Sequence, residues 1–327
     1  MDKMTVVLDR KNITMSLDGK SLRIDCPGSP IQRVPLGMVG QVIVYGSPVV
    51  GCNVWRKLSE EGIPSVLLPA RGSGVPSWIS PGLSTSIMVR IDQFKAWADV
   101  DIKTRAAAWL LRGKFNGLLK LAEVLNISKG FLLTSLEKLD AVNSIESMMG
   151  IEGSAAREWF GKLAGMLPGR WKFKNRNRRP PKDPVNALLS LGYTLLVSEI
   201  QKQVHLRGLD PCLGFLHSPY SGRESMVLDL AEPLRPGIDA FVMGLIKDEA
   251  LCPEDFTTGK KEGCRMSKQG RGIFYPAFEE WKNCWLHPVY MQAETNSPMK
   301  LQYIIKKLID DFVNSWNINE IDEKNTG

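Results

Sequence analysis

Gly72-Ser73-Gly74-Val75-Pro76, followed shortly by Pro81-Gly82, is the stretch on which the fold turns. Glycine and proline at this density interrupt both helix and strand. The periodicity differs on its two sides. Before it come short β-branched and apolar runs: Thr5-Val6-Val7-Leu8, Thr14 to Leu17, Ser21 to Ile24, Ile31 to Pro35, Gln41 to Tyr45 and Ser65 to Leu68. Asp18-Gly19 between the second and third of these reads as a hairpin turn, because a tight turn needs residues that tolerate positive φ. The period changes once in this half. Over Pro48 to Glu61, Val50, Val54 and Leu58 recur every four residues and Gly62 follows as a stop, which predicts a helix. After the break, from about Met88, helix formers with bulky apolar anchors take over: Ala96-Trp97-Ala98, Ala106 to Leu111, Leu118 to Leu125. Leu301, Ile304, Ile305, Leu308 and Phe312 trace one face of a terminal helix, and the polar residues 317–327 read as frayed. The prediction is an α+β protein of two domains: a small β-rich N-terminal domain over 1–84 and a larger all-α C-terminal domain over 85–327.

The bulk numbers narrow the classes. A chain of 327 residues accommodates two domains, and 43% hydrophobic with 24% charged residues excludes wholesale disorder. The formal net charge of +7 favours a polyanionic partner, of which nucleic acid is the commonest. Six cysteines include no C-x-x-C pair, which argues against structural zinc. Met1-Asp2-Lys3-Met4 runs into a strand rather than a secretory signal, and no apolar run approaches the roughly 20 residues of a membrane span. A cytoplasmic setting with reduced thiols is expected. Walker loops, dinucleotide-binding glycine fingerprints and nucleophile elbows are absent from the sequence.

Between Pro168 and Pro184 lie Arg170, Lys172, Lys174, Arg176, Arg178, Arg179 and Lys182, with Asp183 the only acid. Trp171 and Phe173 interleave with them. Such a stretch can neutralise phosphates while its aromatic faces stack on unpaired bases. The structural alternative is a solvated charged loop with Trp171 anchored in the core. Lys260, Lys261, Arg265, Lys268 and Arg271 form a second basic cluster.

The segment Gly208-Leu209-Asp210-Pro211-Cys212-Leu213-Gly214-Phe215-Leu216-His217 delivers a histidine after sharp turns and an apolar run. Asp229-Leu230-Ala231-Glu232 follows, with its two carboxylates on one face if helical, and Glu152 sits in Gly150-Ile151-Glu152-Gly153. One imidazole with two or three carboxylates suits manganese or magnesium and leaves positions open for phosphate and water. Each residue has a plain structural alternative as well: His217 as a core or capping residue, Glu152 as a helix-start acid, and Asp229 as a helix cap.

At these residues the sequence resembles the CRISPR-associated integrases that capture new spacers (the "Cas one" family). Arg178 to Tyr193 is similar to that family's R-x-P-x-D-P-x-N-A-L-L-S-x-G-Y segment, and Gly208 to His217 to its G-L-D-P-x-x-G-F-L-H motif. Leu228 to Pro236 resembles L-D-L-x-E-x-x-R-P, and Gly150 to Gly153 the glycine-flanked Glu. The resemblance implies Glu152, His217 and Glu232 as catalytic metal ligands, with Asp229 a neighbouring acid that helps hold the site. Lys182, Asn186 and Arg235 become secondary candidates for phosphate contact or ligand support. It also implies DNA as substrate, cut or joined by attack of the 3′-hydroxyl of a short duplex on a phosphodiester at a CRISPR repeat. A homodimer, with the β domain the better guess for the contact, and a small "Cas two" partner are implied too. The alternatives are a casposase-like transposon integrase, against which the lack of a tail domain after Trp316 argues, and an inactive DNA-binding scaffold.

There are departures from the family pattern. Ser218-Pro219-Tyr220 follows His217 where many relatives are more polar or acidic, and Glu232 stands where some relatives have Asp. Pro233 is expected to push Glu232 out of the α region unless it occupies the first turn of a helix beginning near Ala231 or Glu232.

Overall fold

The computed structural model describes residues 3–68, 77–79, 87–177, 180–259, 262–285 and 299–316. The breaks at 72–76 and 81–82, the proposed boundary at 84/85, Arg178, Arg179, Lys260, Lys261 and residues 317–327 lie outside them.

The first 79 residues hold two small sheets. β1 (Met4–Leu8), β5 (Val39–Val44) and β7 (Ser65–Leu67) are parallel neighbours, and β8 (Ser77–Ile79) adds an antiparallel edge strand to β7. The second sheet runs β4 (Gln32–Pro35), β3 (Ser21–Asp25), β2 (Thr14–Asp18), β6 (Val49–Val50). Parallel β5 and β7 require a crossover, and α1 (Cys52–Glu60) supplies it with Val54 and Leu58 fully buried. Gly62, at φ +67°, ends it as the sequence predicted. The β2–β3 turn lies one residue later than Asp18-Gly19: Asp18 pairs with Ser21, and Gly19, at φ +59°, begins a two-residue turn with Lys20. β8 was not legible in the sequence, because its three residues sit between glycine- and proline-rich segments.

β5 joins the two halves of the protein. Val42 and Val44 face the small N-terminal core, while Ile43 between them packs into the helical core. That is the period of two expected of a strand buried on both faces. Polar contacts cross the same junction: Gln41 Nε2 donates to Ser198 Oγ at 2.7 Å, and Thr5 Oγ1 to Glu279 Oε1 at 2.5 Å. Arg271 lies 4.4 Å over the Tyr45 ring and donates to the Met266 carbonyl at 2.8 Å. It is therefore committed to the junction rather than to a free basic surface.

The rest of the chain is mostly helical. α2 (Ile87–Ala98) leads into α3 (Val100–Val124), whose cap is Asp99. α4 (Gly130–Asp140), α5 (Ile145–Met166) and α6 (Pro184–Arg207) follow, with Ser144 and Asp183 capping the last two. α7 (Ser225–Ala231) and α8 (Arg235–Lys247) are joined by a single 3-10 turn, Glu232–Leu234. A two-stranded hairpin, β9 (Phe256–Gly259) and β10 (Gly263–Met266), is inserted before α9 (Lys268–Trp281). Cys264 N–H in β10 donates to the Pro181 carbonyl at 2.7 Å, tying the hairpin to the basic loop. α10 (Leu301–Asn314) buries the five residues that predicted it. Among the described residues, no helix is long and apolar enough to cross a membrane.

Candidate active site

The helix core brings together residues from four separate segments. α6 ends at Gly208, in the left-handed region at φ +76°, and the chain turns into the His217 loop. Gly214 is obligatory there, since a Cβ would lie 2.7 Å from both the His217 carbonyl and Ser225 Cβ. What shapes this loop is Asp229 in α7, which is wholly buried. Its Oδ2 accepts the N–H groups of Phe215 and Leu216 at 2.6 and 2.9 Å, and its Oδ1 accepts that of His217 at 2.9 Å. The same Oδ1 lies 2.7 Å from His217 Nδ1. A carboxylate facing three N–H donors acts as acceptor toward the ring as well, so Nδ1 is the donor and Nε2 is the ring nitrogen turned away from Asp229. Asp229 is thus not a helix cap: it fixes the loop and the tautomer together.

Glu152 lies in the middle of α5, which removes the helix-start reading. Glu232 keeps α-helical dihedrals, φ −55° and ψ −48°, despite Pro233, because that proline occupies the first turn of the 3-10 segment. This is the exception that the sequence allowed, a proline in the first turn of a helical segment beginning at Glu232, and Asp229 and Glu232 follow one helical path.

A residue that the motifs did not single out connects the two glutamates. Lys114 of α3 donates from Nζ to Glu232 Oε2 at 2.6 Å and to Glu152 Oε1. Arg235 Nε donates to the other oxygen of Glu232 at 2.7 Å. Burial pushes the Glu232 carboxyl up, but Arg235 and Lys114 outweigh it and hold the group well below the usual carboxylate range. Burial likewise disfavours the charge on Lys114, and the two glutamates more than restore it. His217 lies close enough that a protonated ring would lower the Glu232 carboxyl further. Behind them Arg235 lies 4.8 Å and Arg176 5.4 Å from the Tyr193 ring centre. Tyr193 OH and Trp159 Nε1 donate to buried Asp239 at 2.5 and 2.8 Å. The sequence did carry a signal for Lys114. Leu110, Lys114 and Leu118 recur every four residues, which puts a lysine on an apolar helix face.

As the side chains stand, no three His, Cys, Asp or Glu among the described residues form a metal-holding group. The donor set nonetheless fits a hard divalent cation: two carboxylates already converge on one buried positive charge, and an oriented imidazole lies beside them. Asn186 does not join them. Its Nδ2 donates to Asn175 O and Asp183 Oδ2, and its Oδ1 accepts from Arg176 and Asn177 N, so both ends of the amide are spent on folding the basic loop.

The described residues of the basic loop divide by burial and pairing. Trp171 and Phe173 are buried and pack near Phe256 and Phe160, so they do not stack on bases. Lys172, Lys174 and Lys182 are exposed, whereas Arg170 pairs with Glu249 at 3.1 Å. Arg176 is partly buried and donates to Asn186 and Ser190.

Two small sheets followed by a helical body make a fold already known from solved proteins. The chain matches a casposase bound to its integration product with TM-score 0.83 at 23% identity, over 97% of this chain and 90% of that one. It matches a CAS1 protein from Thermotoga maritima with TM-score 0.85 at 20% identity, over 96% and 97%. A Cas6-RT-Cas1–Cas2 complex is also similar, with TM-score 0.78 at 20% identity, over 97% of this chain and 35% of that one. In sequence it is 34% identical over 293 residues to the CRISPR-associated endonuclease Cas1 1 of Thermodesulfovibrio yellowstonii, covering 85% of this chain and 91% of the relative. Residues 6–280 match the family described as CRISPR associated protein Cas1, and the protein belongs to that family.

Proposed function

We propose that this protein is a metal-dependent DNA endonuclease and integrase that inserts short duplexes into a CRISPR array. The observation that carries the reading is the convergence of Glu152 and Glu232 on one buried cation beside a His217 ring oriented by Asp229. Glu152, Glu232 and His217 Nε2 would hold magnesium or manganese. When bound, such an ion neutralises charge growing on phosphoryl oxygens and activates the attacking hydroxyl or water. The protein's own part is orientation. Asp229 takes the Nδ1 hydrogen bond and so aims Nε2 of His217, and Arg235, seated on Tyr193, holds Glu232 in place. Lys172, Lys174 and Lys182 supply sequence-independent phosphate contacts.

The family's place in CRISPR systems supports a homodimer that works with a small Cas2-family partner in the cytoplasm. β1 and β4 are sheet edges, which makes the β-rich part, over about 1–84, the surface for self-association. The test is cleavage and strand transfer on a branched duplex with manganese or magnesium. Glu152→Ala and His217→Ala are each expected to lower the rate by about two orders of magnitude or more. Unchanged rates, or full activity in a chelator, overturn the reading.

A further inference from the structure

Lys114 is the one member of the cage that a metal-ligand set does not call for. Its side chain is 9% exposed and gives its hydrogen bonds to the two carboxylates that would face the metal. Glu232 therefore sits between two cations. They differ in freedom. Arg235 is planar, bonded through Nε and stacked on Tyr193. Lys114 carries its charge on a flexible four-carbon stem. A divalent ion and an ammonium cannot share the space between the same two carboxylates, because their repulsion is poorly screened inside the protein. That repulsion favours departure of one positive group, and of the two cations on Glu232, Lys114 is the freer to move. A cavity of about 40 Å³ opens on the cage itself, lined by Lys114, Glu152 and Arg235 together with Leu118, Phe160 and Arg176 among others, and leaves space next to the lysine stem.

We infer that Lys114 is a tethered counter-cation: it keeps Glu152 and Glu232 together in the metal-free protein, and an incoming divalent ion displaces it. The inference rests on the reading that these glutamates hold a metal. Two consequences follow from the charges. Without metal the ligands stay paired instead of repelling one another. Metal binding is weaker than the ligands alone would give, because it includes expulsion of the ammonium. Lys114 is a positioning residue in this scheme and touches no reacting atom.

The measurement is calorimetric titration of manganese chloride into full-length protein and into Lys114→Met, which keeps the stem and removes the charge. A merely structural lysine would leave affinity unchanged or lower it on removal. The inference expects the manganese Kd of Lys114→Met to fall about tenfold or more. Equal or weaker binding by the variant overturns it while leaving the metal reading intact. No binding by either protein overturns both.

If the variant does not fold, the wild-type protein gives a second readout. Amine acetylation at Lys114, followed by peptide mass spectrometry, is expected to be slow without metal and several-fold faster with saturating manganese. A rate that manganese leaves unchanged overturns the inference.

Discussion

Three consecutive backbone N–H groups and one imidazole nitrogen converge on the Asp229 carboxylate. Removing it leaves buried donors unpaired and frees the His217 loop. Asp229→Ala is therefore expected to cost about 3 kcal/mol of stability and to weaken manganese binding, read by chemical denaturation and calorimetry. A variant as stable as wild type would show that the loop holds its shape without the carboxylate. Glu232 makes a pH prediction. Its carboxyl titrates below the ordinary value of 4.5, so its contribution to stability is present above that pH and is lost as pH falls through the depressed native value. Glu232→Gln should flatten the acid limb of the metal-free stability profile. The ordered motifs made Glu152, His217 and Glu232 legible as candidates. They did not reveal that Asp229 serves the His217 backbone, because that depends on three N–H vectors set by a loop with no periodicity. Nor did they reveal Lys114, which belongs to none of the motifs.

At the scale of elements, the site depends on how closely α3 approaches the turn that carries Glu232. Gly117, one turn beyond Lys114, makes this possible: a Cβ there would lie 2.9 Å from Pro236 Cγ and 3.5 Å from the Pro233 carbonyl. Gly117→Ala is expected to cost about 1–3 kcal/mol and to draw Lys114 away from Glu232. Thermal unfolding, with manganese titration of the same sample, checks this. A neutral result would mean that Pro236 gives way freely. The proline pair 233 and 236 shows how the first-turn exception operates here. A proline usually disfavours helix in the residue before it, yet successive short helical segments let each proline sit in a first turn, where its missing N–H costs nothing. The aromatic residues of the basic loop, by contrast, misled. Composition placed Trp171 and Phe173 among cations, whereas burial places them beneath those cations as the loop's anchors.

Across the whole molecule, the positive surface and the cage belong to one helical body, to which the β-rich part is fastened through Gln41, Thr5 and Arg271. The mainly two-residue period before the break, α1 apart, and the helical period after it were enough to predict a β-rich start followed by a mostly helical body. The pairing order of the sheets and the β9–β10 insertion were not predictable, since both depend on contacts distant in sequence. Neutralising Lys172, Lys174 and Lys182 together is expected to weaken DNA binding similarly for all sequences. It should also reduce the slope of log affinity against log salt by roughly 0.9 for each phosphate that is no longer neutralised. An unchanged slope would place the DNA on another face. Changing Arg176 is a poorer test, because it also unravels the bonds that Asn186 makes.

The cage takes Lys114 from α3, Glu152 from α5, His217 from the loop and Glu232 from the turn before α8. During synthesis these arrive one after another, and the β-rich part is complete long before the last of them. The exposed lysines of the basic loop emerge ahead of His217 and Glu232. On the proposed reading, a ribosome-bound or prematurely terminated chain carries its phosphate-contacting lysines before it has a complete cage.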